Sequence, residues 1–122
     1  MKTLLQSYIE NDDIYEIYSY SNGKGNVSLV HLKNEKKHNV DDFPAVSETY
    51  HGRKKSERWY KDGIPHREEG KPVIVHYRNE NVKKEIYYEG GKKLYTHEYH
   101  PNGILKKAKL FKGNGEVTEL TY

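Results

Sequence analysis

The sequence predicts an all-β fold, a meander of antiparallel hairpins forming an extended or curled repeat sheet, and three observations predict it. Asn-Gly, Asp-Gly and Gly-Gly pairs punctuate β-rich runs. The apolar supply is aromatic: twelve Tyr, two Phe and one Trp among 122 residues that are 34% hydrophobic and 32% charged. Blocks of the chain also match one another at a fixed spacing of 28 positions.

The composition justifies a thin structure. A tyrosine covers one ring face while its hydroxyl stays wet, so a Tyr-rich chain poor in Leu, Ile and Val suits a sheet with little over it. Low hydrophobicity with high charge is also the signature of disorder, but a Tyr-rich, glycine-punctuated, near-neutral chain argues against that. The length fits one domain, residues 1–122, with 1–29 a segment of unassigned type and 30–115 the hairpin repeats.

Taken in order, only the extreme N-terminus admits a short helix, because Leu4, Leu5, Tyr8 and Ile9 have roughly helical spacing. Strands are expected over residues 14–20, 27–33, 45–50, 57–61, 73–77, 83–88, 92–99, 105–111 and 116–120. The turn pairs Asn22-Gly23, Asp62-Gly63, Gly90-Gly91, Asn102-Gly103 and Asn114-Gly115 separate many of these runs. Each predicts a type I′ hairpin turn, which needs positive φ at both central residues.

The repeat is legible in two blocks. His38 to Val46 matches His66 to Ile74, with Pro44 on Pro72, and Glu57-Arg58-Trp59-Tyr60 matches Glu85-Ile86-Tyr87-Tyr88. The fullest copy reads Trp59-Tyr60-Lys61-Asp62-Gly63-Ile64-Pro65-His66-Arg67-Glu68-Glu69-Gly70-Lys71-Pro72-Val73-Ile74. In these residues the chain resembles the MORN-repeat-variant proteins of phages, large DNA viruses and bacteria. The resemblance spans roughly Val30 to Gly115. It departs from the pattern where Asn39 replaces Arg and Asp42-Phe43 replaces Gly-Lys, and where later copies lack the His–Pro insert. It implies a single-sheet β-repeat used as a scaffold, with no single activity. It also implies, as one specific form, a small viral or phage protein that binds or inhibits a host protein.

Function classes narrow by what the residues can do. There is no cysteine, so disulfide and thiolate chemistry are excluded. No nucleophile elbow, phosphate loop or dinucleotide fingerprint occurs. His97-Glu98-Tyr99-His100 imitates a zinc-protease motif one residue short, and on a strand its histidines face apart. The expectation is therefore a binding protein rather than an enzyme, with no catalytic residue, metal or cofactor. No apolar run reaches signal or spanning length, so no membrane and a cytoplasmic setting are expected.

Two binding patterns recur with the hairpins. Aromatic pairs such as Trp59-Tyr60 and Tyr87-Tyr88 should place one ring on each side of the sheet. Trp59, Tyr60, Arg67, Tyr77, Arg78, Tyr88 and Tyr99 are accordingly candidate contacts to a protein partner. His66 and Arg67 admit two readings, a loop-bracing role or a projecting contact pair. Lysine pairs follow the turns, and from Lys83 to Lys112 eight lysines stand against three glutamates. Lys83, Lys92 and Lys106 are candidates for an anion-binding stripe on nucleotide or nucleic acid. The bland reading of such lysines is solubility and protection of sheet edges. The net charge of +3 is small for a dedicated nucleic-acid binder, so a protein partner is expected first. Nucleotide or nucleic acid is the alternative. Self-association through sheet edges is the remaining one.

Overall fold

The computed structural model describes residues 1–122 and is all-β. Ten strands form one open antiparallel sheet: β1 (Lys2–Glu10), β2 (Asp13–Ser21), β3 (Asn26–Lys33), β5 (Val46–Tyr50), β6 (Arg53–Arg58), β9 (Ile74–Arg78), β10 (Asn81–Glu89), β11 (Lys92–Tyr99), β12 (Leu105–Phe111) and β13 (Val117–Thr121), in that spatial order. The short β4 (Lys36–Lys37) pairs with the end of β3, and β7 (Tyr60–Lys61) pairs with β8 (Ile64–Pro65) as a separate ribbon. No crossover interrupts the sheet, so β1 and β13 remain unpaired edges.

The N-terminal segment is β1, not a helix. A bulge at Leu5 explains the helix-like spacing. The extra residue shifts the alternation by one, so Leu4 and Tyr8 fall on opposite sides of the sheet although four positions apart.

Register divides the side chains into two faces, because residues paired across antiparallel strands share a side. One row runs Ser47–Glu57–Val75–Glu85–His97–Ala108 across six strands and defines the front face. The adjacent row, Val46–Arg58–Ile74–Ile86–Thr96–Lys109, lies on the back.

The turns are primed less often where glycine was expected and more often elsewhere. Asp62-Gly63 and Gly90-Gly91 have positive φ at both positions, and so do Asn11-Asp12, Asn34-Glu35, His51-Gly52 and Asn79-Glu80. Asn22, Asn102 and Asn114 do not. Their loops are longer, the Asn itself is not left-handed although the following glycine is, and each Asn Oδ1 accepts a backbone N–H two residues on.

The expected strand 57–61 is broken. At Trp59 the chain leaves the sheet, its N–H donating to the Val73 carbonyl at 2.8 Å, and β7–β8 begins. Two inserts result, one before β5 and one before β9, and they lie side by side. Asn39 N–H donates to the Tyr60 carbonyl (2.7 Å) and Gly63 N–H to that of Lys37 (2.8 Å). The core is small: Trp59, Val73 and Val75, with Ile74, Tyr77, Val82 and Tyr88 packed around them.

Candidate functional site

The inserts meet at Arg67. Its guanidinium donates from Nε and one terminal nitrogen to the two carboxylate oxygens of Asp42, both at 3.0 Å, and from the other to the Pro72 carbonyl. The same group lies 3.7 Å from the centre of the Trp59 ring, and the indole Nε1 donates to the Asp42 carbonyl at 3.0 Å. Fork geometry and a stacked aromatic face are what arginine supplies and lysine does not. Hydrogen bonds from Arg67 and Lys71 hold the Asp42 carboxyl down at about 2. Arg67 therefore braces the loop, and the projecting-contact reading fails because every nitrogen is already engaged. Trp59 is likewise core, 4% exposed, and cannot be a partner contact in this fold.

The inserts stand beside the front face and leave grooves along it. One of about 500 Å³ runs below Phe43 and Arg67 over Glu57 and Tyr77. A second, about 380 Å³, lies between residues 66–71 and the rings of Tyr87 and Tyr95. A third, about 440 Å³, is bounded by Val82, Glu85, Tyr99 and the loop at Pro101–Gly103. Neighbouring grooves share Arg67 and Lys71, or Val82 and Glu85, so they form one discontinuous trench.

An aromatic ladder floors this side. Tyr87 stacks on Tyr95 with ring centres 4.4 Å apart, and His97 sits edge-on to Tyr87 at 5.4 Å and against Tyr95 at 5.3 Å. Tyr99 continues the row beyond His97. The period-two spacing of Tyr95, His97 and Tyr99 puts all three on one face of β11. Two carboxylates punctuate the ladder: the Tyr77 hydroxyl donates to Glu57 and the Tyr99 hydroxyl to Glu85. Burial, then the bonded carboxylates, push both phenols well up; burial and the Glu85 charge push Tyr87 up to about 12. These phenols stay protonated as donors across the ordinary pH range.

The remaining candidates scatter. Tyr77 and Tyr99 are in the trench. Tyr88 falls on the back of β10, opposite Tyr87, and packs against the small core. Tyr60 belongs to the insert ribbon with the Lys37 ammonium 5.2 Å over its ring. Trp59 and Tyr60 thus do not straddle the sheet, because the chain has left it. Arg78 donates to the Tyr99 carbonyl at 3.1 Å.

The stripe of Lys83, Lys92 and Lys106 does not exist as one line. Successive turns of a meander alternate between the two ends of the sheet, so Lys92, after Gly90-Gly91, lies at the end opposite Lys83 and Lys106. The row that does form is Lys55, Lys83 and Lys106. Each is the extra residue of a bulge on alternate strands β6, β10 and β12, and each is exposed. Alternate strands are about 10 Å apart.

Glu57, Glu85, Tyr87, Tyr95 and His97 were not among the sequence candidates. Glu57 and Glu85 occupy matching positions of the 28-residue repeat, the one sequence signal able to single them out. Comparison of the chain with protein-family models, with curated proteins and with solved structures finds no match.

Proposed function

We propose that the chain is a non-catalytic β-repeat binding module that docks a protein partner on the front face of its sheet. The observation that carries this reading is the half-buried ladder Tyr87–Tyr95–His97–Tyr99 running beside the trench. Its rings are held by mutual stacking and by hydroxyl–carboxylate bonds, so they lose little freedom on binding, and tyrosine is a residue type that anchors interfaces. The resemblance to MORN-variant repeats supports a scaffold role, and it alone suggests a viral or phage protein acting on a host factor.

The test is affinity capture from host lysate, with mass spectrometry of retained proteins and co-eluting small molecules, repeated with Tyr95→Ala. A protein held by the front face should lose about 2 kcal/mol or more of affinity in that variant, the range of an interface hot spot. Unchanged affinity for every captured protein would remove the front face from the reading.

A second reading has its own observation, the bulge row of Lys55, Lys83 and Lys106, which suits a nucleotide or nucleic acid. Changing the three together to Gln should then abolish binding, and affinity should fall steeply with salt through counterion release. On the first reading the same change alters mainly the association rate.

A further inference from the structure

Two copies of one front-face arrangement differ by a single cation. In the first, the Tyr77 hydroxyl donates to Glu57, and the Lys54 ammonium lies 5.4 Å from the Tyr77 ring centre and 3.9 Å from the Glu57 carboxylate. In the second, Tyr99 donates to Glu85 in the same diagonal relation across the next strand pair. The register is conserved between copies: Ser47 pairs with Glu57 as Val75 with Glu85, and Thr49 with Lys54 as Tyr77 with Val82. Val82 therefore stands where the first copy has Lys54. The carboxylate and its phenol donor recur and the ammonium does not.

Glu85 has no ion-pair partner within 4.0 Å. Its cross-strand neighbour His97 is turned against Tyr87 and Tyr95, and Arg67, across the trench, is committed to Asp42. The space beside Glu85 is the groove of about 440 Å³ between Val82, Tyr99 and the Pro101–Gly103 loop. An ammonium on an alkyl stem satisfies each surface there: the carboxylate by charge, the Tyr99 ring by cation–π attraction and Val82 by contact with the methylenes.

Resting on the reading of the front face as a docking surface, we infer that the Glu85 groove takes a lysine side chain of the protein partner, replacing the internal lysine of the first copy. The partner thus presents a basic segment to this end of the trench, while its apolar contacts fall on Tyr87 and Tyr95.

The experiment uses n-butylammonium chloride as the lysine side-chain probe, followed by amide chemical shifts of the full chain, with n-butanol and sodium chloride as controls. Saturable shifts centred on Val82, Glu85 and Tyr99, absent with both controls, are expected. Glu85→Gln should weaken them at least tenfold while leaving the spectrum folded, and Val82→Lys should abolish them by filling the groove from within. Lys54→Val should add a second set of saturable shifts around Glu57. Butylammonium shifts that are unsaturable, or that survive Glu85→Gln, overturn the inference. So does a captured partner that depends on Tyr95 and binds Val82→Lys unchanged, an outcome that leaves the docking face standing. Loss of partner dependence on Tyr95, with the butylammonium site intact, removes the docking reading and keeps the cation site.

Discussion

The middle of the sheet and its margins are built from the same hairpin but are held in different ways. Every buried apolar residue (Ala45, Val46, Trp59, Val73, Val75 and Ile86) lies between positions 45 and 86. The second insert lies inside that stretch and the first runs up to its start. At the N-terminal margin nearly all of β1 is exposed, Leu4, Leu5 and Ile9 among it, and at the other end β13 is exposed throughout. The margins rest on ladder hydrogen bonds, on the Tyr8–Tyr15 stack at 5.0 Å and on exposed ion pairs such as Lys107–Glu119 at 3.0 Å. The core cluster of Trp59, Val73 and Val75 therefore forms where a loop folds back on the single-layer sheet. The proposed docking face sits next to that core, where rings are held rigid and remain half-buried.

The comparison breaks first at Trp59. Trp59→Ala removes the ring on which Arg67 stacks and the donor to Asp42, and leaves a cavity. It should cost about 3–5 kcal/mol in chemical denaturation, the usual range for a buried aromatic. A loss below about 1 kcal/mol would mean that the inserts do not carry the stability of the middle.

Next is Gly63, where φ is +84° in a turn that ties the two inserts together. Gly63→Val should cost about 1–2 kcal/mol from the left-handed backbone alone, read as a fall in melting temperature. The same change at Gly115, where φ is +88° near the C-terminal margin, should perturb only β12 and β13. Equal global effects of the two would erase the distinction.

Acid sharpens it further. Asp42 titrates at about 2 in the fold against an ordinary 3.8, so its ion pair with Arg67 stabilises fully above about pH 4 and is lost as pH falls toward 2. A denaturation series from pH 6 to pH 2 should show this dependence reduced in Asp42→Asn. The smallest effect is expected from Tyr8→Ala, about 0.5–1 kcal/mol for a half-exposed stack.

Much of this architecture is legible in the sequence. Apart from β1 and β6, the sheet strands fall close to their expected positions because Tyr and β-branched runs separated by Gly, Asn and Asp leave the chain few alternatives. Asp62-Gly63 also predicted its turn correctly. What escaped notice depends on bulges and on third dimensions of the loop. Leu5 disguises a strand as a helix by breaking alternation. Lys55, Lys83 and Lys106 align only because each is a bulge residue at the same end of the sheet. Arg67 and Asp42 are 25 positions apart, in different inserts, and no local pattern joins them. The front-face site was half visible: Glu57 and Glu85 are offset by the repeat, but their ties to Tyr77 and Tyr99 require the register.

Amide hydrogen exchange, followed residue by residue, tests the account most directly, since it reads local stability along one chain. Protection should peak in β6, β9 and β10, around Glu57, Val75 and Ile86, stay high through Tyr95 and His97 beside them, and fall by orders of magnitude in β1 and β13. A flat profile, with β1 and β13 as protected as β9, would contradict it. The inserts would then be ornaments on a uniformly stable sheet, and the rigid display of the tyrosine ladder would owe nothing to them.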